Sequence, residues 1–209
     1  QKEIGIRYAK SLGKRYEEMD LIICHIGGGI SVTAHRKGKM IDSNDIAQGD
    51  GPMAPTRCGA LPVKDVVKMC YSGQFTERQM YDKITKTGGL VDHLGTSDAR
   101  EVSKMVEAGN KYAKLVYDSM IYQIAKQAGA MAAVLEGEVD GIILTGGISY
   151  DKYVDSELTR KLKFIAPVTV MAGEFEMEAL AAGAIRVLDG EEAAKDYTGK
   201  PCWNGFDMA

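Results

Sequence analysis

A chain of 209 residues, 45% hydrophobic and 26% charged, carries enough apolar content for one sizeable core or two small ones, which excludes disorder as its ground state. Its 26 basic and 29 acidic residues nearly cancel, to a formal net charge of −3. The sequence therefore has no electrostatic footprint for nucleic acid or for an anionic membrane surface, and a small anionic substrate would need a local site.

No apolar run approaches the roughly 20 residues of a membrane-spanning helix. The N-terminus QKEIGIRYAK also lacks the apolar stretch of a secretory signal, and the expectation is a cytoplasmic protein. Cys24, Cys58, Cys70 and Cys202 form no C-x-x-C pair, and the three histidines show no ligand spacing, so reduced thiols and no structural zinc are expected. The chain opens on Gln1, within a basic segment of helical character (IRYAKSLGKRYEEM), and reads as a fragment of something longer.

In chain order, DLIICHI is a buried-strand pattern, ISVTAH alternates, and RKGK supplies a turn into a third strand at MIDS, together a β-meander. Asn44 to Leu61 has no periodicity and clusters Gly, Pro and Asp, too long a loop to be an idle connector. PVKDVVKMCYSG predicts a helix with its proline in the first turn and its glycine at the stop. TERQ has the capping-box spacing of a second helix that ends at TGG.

After a break at VDHLGTSDARE, a helix is expected from Asp98 to about Ala108 and a longer one from about Asn110 to Gly137. The longer one carries an apolar stripe of Val116, Met120, Ile124, Ala128, Met131 and Leu135. The remainder reads strand, glycine turn, helix, strand, helix, with Asp151 as a helix cap and the tail YTGKPCWNGFDMA as loop.

Chemistry concentrates at the strand ends. Gly27, Gly28 and Gly29 remove the Cβ atom three times in succession, so backbone N–H groups could turn toward one anion; a tight hairpin bend is the alternative. The spacing matches neither the Walker nor the dinucleotide fingerprint. Gly146 and Gly147 end a second apolar strand in the same way, which suggests two walls of a nucleotide cleft or a close packing contact.

Arg57, in the long loop, could clamp a phosphoryl group with parallel hydrogen bonds or sit on the surface. His25 is either a core histidine or a contact to the transferred phosphate. In GEFEME, carboxylates complement a helix N-terminus, and one of them could hold Mg²⁺.

Taken together, HIGGGISVTAHRKGKMIDSND, GDGPMAPTRCGALPV, GGLVDHLGTSDAREV, ILTGGISY and FIAPVTVMAGEFEMEALAAGAIRVL resemble successive signatures of the acetate and butyrate kinases, nearest the butyrate kinase side. This acetokinase branch lies within the actin, hexokinase and sugar-kinase superfamily. The resemblance spans all but about the last dozen residues. It implies an α/β fold, an actin-like ATPase (ribonuclease H-like) domain with a mixed sheet flanked by helices. It also implies ATP-dependent, Mg²⁺-dependent phosphorylation of a short-chain carboxylate such as butyrate to an acyl phosphate and ADP.

By the same resemblance His25 contacts the transferred phosphoryl group, and Gly27, Gly28 and Gly29 hold nucleotide phosphates. Arg57 stabilises transition-state charge, Asp98 and Arg100 match an Asp-x-Arg at the nucleotide, and Gly146, Gly147 and Ile148 match the adenosine motif. Glu176 is assigned to magnesium, with Glu174 and Glu178 within reach of an alignment slip. A carboxylate nucleophile is already ionised at neutral pH, so no general base is expected.

Acetate kinases carry Asn and Ser where Gly28 and Ile30 stand here, which favours butyrate over the alternatives of acetate or propionate. The family also begins with an N-terminal domain bearing a first phosphate loop, and nothing like it is present in this sequence. The expectation is thus that residues 1–209 form a C-terminal nucleotide-binding domain whose partners are the missing N-terminal domain, a short-chain carboxylate and other copies of itself in a homo-oligomer, without nucleic acid or membrane. The last helix in this family packs on the N-terminal domain, so its apolar face here is expected to be exposed or covered by another copy. A non-catalytic nucleotide-binding module is the alternative of a different class.

Overall fold

The structure, a computed structural model, describes residues 1–199, so the expected loop beyond Gly199 and Cys202 lie outside the described residues. The chain divides into two compact units, residues 1–174 and residues from 175 onward.

The first unit opens with α1 (Lys2–Ser11) and a 3₁₀ turn at Tyr16–Glu18, then β1 (Asp20–Ile26), β2 (Ile30–Arg36) and β3 (Lys39–Ser43). The long loop leads to α2 (Val63–Cys70), α3 (Glu77–Thr85), α4 (Leu90–Leu94), α5 (Ala99–Glu107) and α6 (Lys111–Val134). β4 (Gly141–Gly146), a 3₁₀ turn (Gly147–Tyr150), α7 (Lys152–Leu162) and β5 (Val168–Ala172) complete it. The second unit holds α8 (Glu176–Leu188), none of whose residues is buried.

The five strands form one sheet in the order β3-β2-β1-β4-β5, antiparallel through the meander and parallel from β1 to β4 to β5. β1 sits in the middle, so its side chains are buried on both faces, as a continuous apolar run requires. Ile22, Cys24 and Ile26 pack with Ile142 and Leu144 into the core formed with α6 and α7, while Ile23 contacts the opposite face near Gly5 of α1. Every member of the expected α6 stripe is buried, from Val116 to Leu135, and Tyr117 and Ile121 extend it.

The helix ends follow local chemistry. Thr76 accepts from the Gln79 amide while Gln79 Oε1 accepts from the Thr76 amide, the reciprocal capping box. Asn110, Asp98 and Asp151 cap α6, α5 and α7 with side-chain oxygens.

Three details differ from expectation. Pro62 is the residue before α2, with extended backbone, and not part of its first turn. A short helix, α4, occupies the segment read as a break; five residues carry too little periodicity to signal themselves. The α6 helix ends at Val134, ahead of Gly137, whose φ of +82° lies in the left-handed region.

Candidate nucleotide site

β1 and β4 run parallel and side by side, with His25 paired to Thr145, so both strand-to-glycine junctions emerge at one edge of the sheet. They are neighbours in one floor and not opposed walls. Gly146 explains the closeness: its φ is +95°, and a Cβ there would fall 2.4 Å from the Ile26 carbonyl oxygen.

Above this edge lies a cleft of about 1070 Å³. Gly27 and Gly28 line it from the β1 hairpin, Asp98 and Arg100 from α5, and Gly147 and Ile148 from the turn after β4. The glycine run forms the hairpin bend between β1 and β2. The Gly27 amide closes the bend by donating to the Gly29 carbonyl at 3.2 Å. A Cβ added at Gly28 would meet nothing within 4 Å. The His25 ring lies beside the bend, its Nε2 3.2 Å from where a Gly27 Cβ would stand.

Arg57 reaches the same bend from the long loop. Its Nη1 occupies the space a Gly29 Cβ would need, and its Nε is buried without a hydrogen-bond partner among the described residues. A buried guanidinium N–H with no acceptor is costly in a finished fold, and Arg57 itself is not among the residues that line the cleft.

What holds Arg57 there is tertiary. The buried Asn44 side chain accepts from the Val32 amide and donates to the Ile30 and Asp50 carbonyls. Gln123 of α6 accepts from the Met53 amide at 2.8 Å. The Leu90 and Val91 amides donate to the Ala54 and Pro55 carbonyls, an approach possible because Gly88 and Gly89 lack a Cβ; at Gly89 one would fall 1.7 Å from the Ala54 oxygen. These anchors escaped the sequence reading: the glycine pair looked like a helix stop and Asn44 like loop composition. Thr56 is a further addition, its hydroxyl 3.4 Å from the Gly28 carbonyl.

On α5, Asp98 caps the helix and forms a fork with Arg100, accepting from Nε at 3.0 Å and from Nη2 at 2.7 Å. The Arg100 side chain, then its amide, holds the Asp98 carboxyl down at about 2, so both groups are fully charged at neutral pH.

Of the three candidate carboxylates, Glu174 lines this cleft, with Oε1 3.2 Å from where a Gly147 Cβ would stand. Glu176 and Glu178 belong to the first turn of α8, in the other unit. Among the described residues no group of three or more His, Cys, Asp or Glu side chains gathers as a metal site, and no helix is long and apolar enough to cross a membrane.

Over 197 residues the chain is 51% identical to a probable butyrate kinase of Clostridium botulinum (strain Alaska E43 / Type E3), covering 94% of this chain and 56% of that protein. Against butyrate kinase 2 of Clostridium acetobutylicum it is 48% identical, covering 94% and 55%. The chain thus spans about half the length of the curated relatives it matches. Among solved structures, Porphyromonas gingivalis acetate kinase superimposes with a TM-score of 0.81 at 24% identity, covering 88% of this chain and 53% of that one. A propionate kinase from Francisella tularensis gives 0.73 at 23%, covering 83% and 50%. These neighbours share the actin-like ATPase fold expected from the sequence. Because the Acetokinase family model also matches residues 2–173, nearly the whole of the unit that carries the cleft, the chain belongs to the acetokinase family.

Proposed function

We propose that this chain is the nucleotide-binding half of a butyrate-type carboxylate kinase, which moves a phosphoryl group between ATP and a short-chain carboxylate to give an acyl phosphate and ADP. The observation that carries the reading is the convergence on one cleft of the β1 glycine bend, the Asp98–Arg100 fork and the Gly147–Ile148 turn, with Arg57 seated on the bend. The names of the relatives near 50% identity favour butyrate over acetate or propionate.

In this reading the β- and γ-phosphates lie along the glycine bend, met by the Gly28 and Gly29 amides. His25 touches the transferred group from the end of β1. The Arg57 guanidinium neutralises charge spread over the equatorial oxygens in the transition state. Arg100, fixed by Asp98, and the Gly147–Ile148 turn bracket the nucleoside. The carboxylate substrate attacks already ionised, so the protein supplies position and charge and no base.

Among the cleft's carboxylates, Glu174 stands beside Gly147, and Mg²⁺ binds through one or two carboxylates together with substrate phosphates. We assign that role to Glu174 in place of Glu176. When bound, the ion would offset the negative charge of the nucleotide phosphates.

The remainder of the full-length protein, in this reading, brings the first phosphate loop and the acyl pocket, and the reaction takes place in the cytoplasm. The test is acyl hydroxamate formation by the full-length protein with acetate, propionate and butyrate. The expected result is the highest kcat/KM with butyrate. Equal rates across the three acids would remove the butyrate assignment, and no transfer to any of them would turn the reading toward a nucleotide-binding module.

A further inference from the structure

The cleft wall at the start of α7 is held by groups that none of the residues assigned above includes. Lys114, Tyr117 and Asp118 of α6 stand at helical spacing on one face and meet the first turn of α7. The Tyr153 hydroxyl donates to Asp118 Oδ1 at 2.5 Å and accepts from Lys114 Nζ at 2.8 Å, while Lys114 also donates to Asp118 Oδ2 at 2.6 Å. Each member of this triangle has two partners.

A second tie runs alongside. The Tyr117 hydroxyl donates to Asp151 Oδ2 at 2.9 Å, and Asp151 Oδ1 accepts from the Tyr153 amide at 2.8 Å. The two tyrosine rings stack at 6.3 Å between centroids and 20° between planes. Tyr117 is fully buried in the core, so the ties fasten the segment to the core-facing side of α6.

Asp151 and Tyr153 themselves line the cleft, next to Gly147 and Ile148. We propose that Lys114 and Asp118 are positioning residues which, through Tyr153, fix the α7 wall of the nucleotide cleft and so raise its affinity for a nucleoside diphosphate. This rests on the reading of the cleft as a nucleotide site.

Lys114 and Asp118 are each about half exposed, at 51% and 41%, and exposed ion pairs add little to global stability. Their effect therefore belongs to the Tyr153 rotamer and the adjoining backbone. Asp118, then the Tyr153 hydroxyl, holds the Lys114 ammonium charged well above its ordinary range; burial, then Asp118, raises the Tyr153 phenol. The lysine and the phenol thus both keep their protons around neutrality.

The experiment compares the parent chain with Tyr153→Phe, Asp118→Ala and the double variant. Mg-ADP affinity is read by calorimetry and amide hydrogen exchange over residues 147–153 by mass spectrometry. Expected are a loss of affinity of about tenfold in each single variant, no larger loss in the double variant, and faster exchange confined to that segment. A purely structural role would lower the melting temperature and leave affinity alone. Unchanged exchange, additive losses, or variants that bind ADP like the parent would overturn the clamp alone. Failure of the parent itself to bind would overturn the nucleotide reading, and the clamp's role with it.

Discussion

The three histidines show how burial and partners decide a side chain's use. His35 is completely buried, hydrogen-bonded through Nδ1 to the Tyr16 hydroxyl at 2.5 Å and through Nε2 to Thr33 Oγ1 at 2.8 Å. Burial pushes its pKa down to about 4, so it is a neutral member of the core. His93 is exposed against Tyr112, and His25 alone stands at the glycine bend. Sequence spacing could offer His25 both fates, because a strand's buried and site-facing ends look alike until the sheet is built. The sharpest residue-level consequence concerns Gly29. A methyl group there would occupy the position of Arg57 Nη1, the far end of a flexible side chain, so the fold should tolerate it while the guanidinium is displaced. In the full-length protein Gly29→Ala is expected to lower kcat by about 10²-fold or more, with Arg57→Ala adding little to it. Stopped or steady-state transfer rates at the parental level in Gly29→Ala would refute the placement of Arg57.

Among elements, those with strong local signals were legible: the apolar run of β1, the TERQ capping box, the Asp151 cap and the buried stripe of α6. What escaped was either too short, as α4 was, or encoded between distant segments, as in the docking of Gly88 and Gly89 on the Arg57 loop. Local propensity carries no information about such a meeting. α7 contains a case where two effects oppose. Asp155 lies in its first turn, where the helix dipole favours a carboxylate, yet its Oδ1 is buried without a partner among the described residues. Burial, then the charge of Asp151, pushes it up to about 6, so desolvation wins. A pKa above the unfolded value means the folded state binds the proton more tightly. The contribution to stability is then full below about pH 4 and lost as pH rises through about 6. Asp155→Asn should raise the melting temperature by about 2–4 °C at pH 8, after allowing for solvent screening, with the difference gone by about pH 4. An equal gain at both pH values would show that charge is not the cause.

For the molecule as a whole, the acetokinase assignment was readable because five signatures occur in order along the chain, and the family model covers residues 2–173. Which glutamate lines the cleft was not. GEFEME offers three glutamates within five residues, and only the three-dimensional edge of the sheet separates Glu174 from the two that begin α8. The central claim is that this edge of the sheet is a nucleotide site by itself. It is tested most directly by titrating the chain with Mg-ADP by calorimetry beside a Gly28→Val variant. A Cβ there meets no protein atom within 4 Å, and Gly28 lines the cleft. Saturable binding by the parent, and its loss in a variant with an unchanged melting temperature, is the predicted result. Absence of binding by the parent, or equal binding by both proteins, would contradict it.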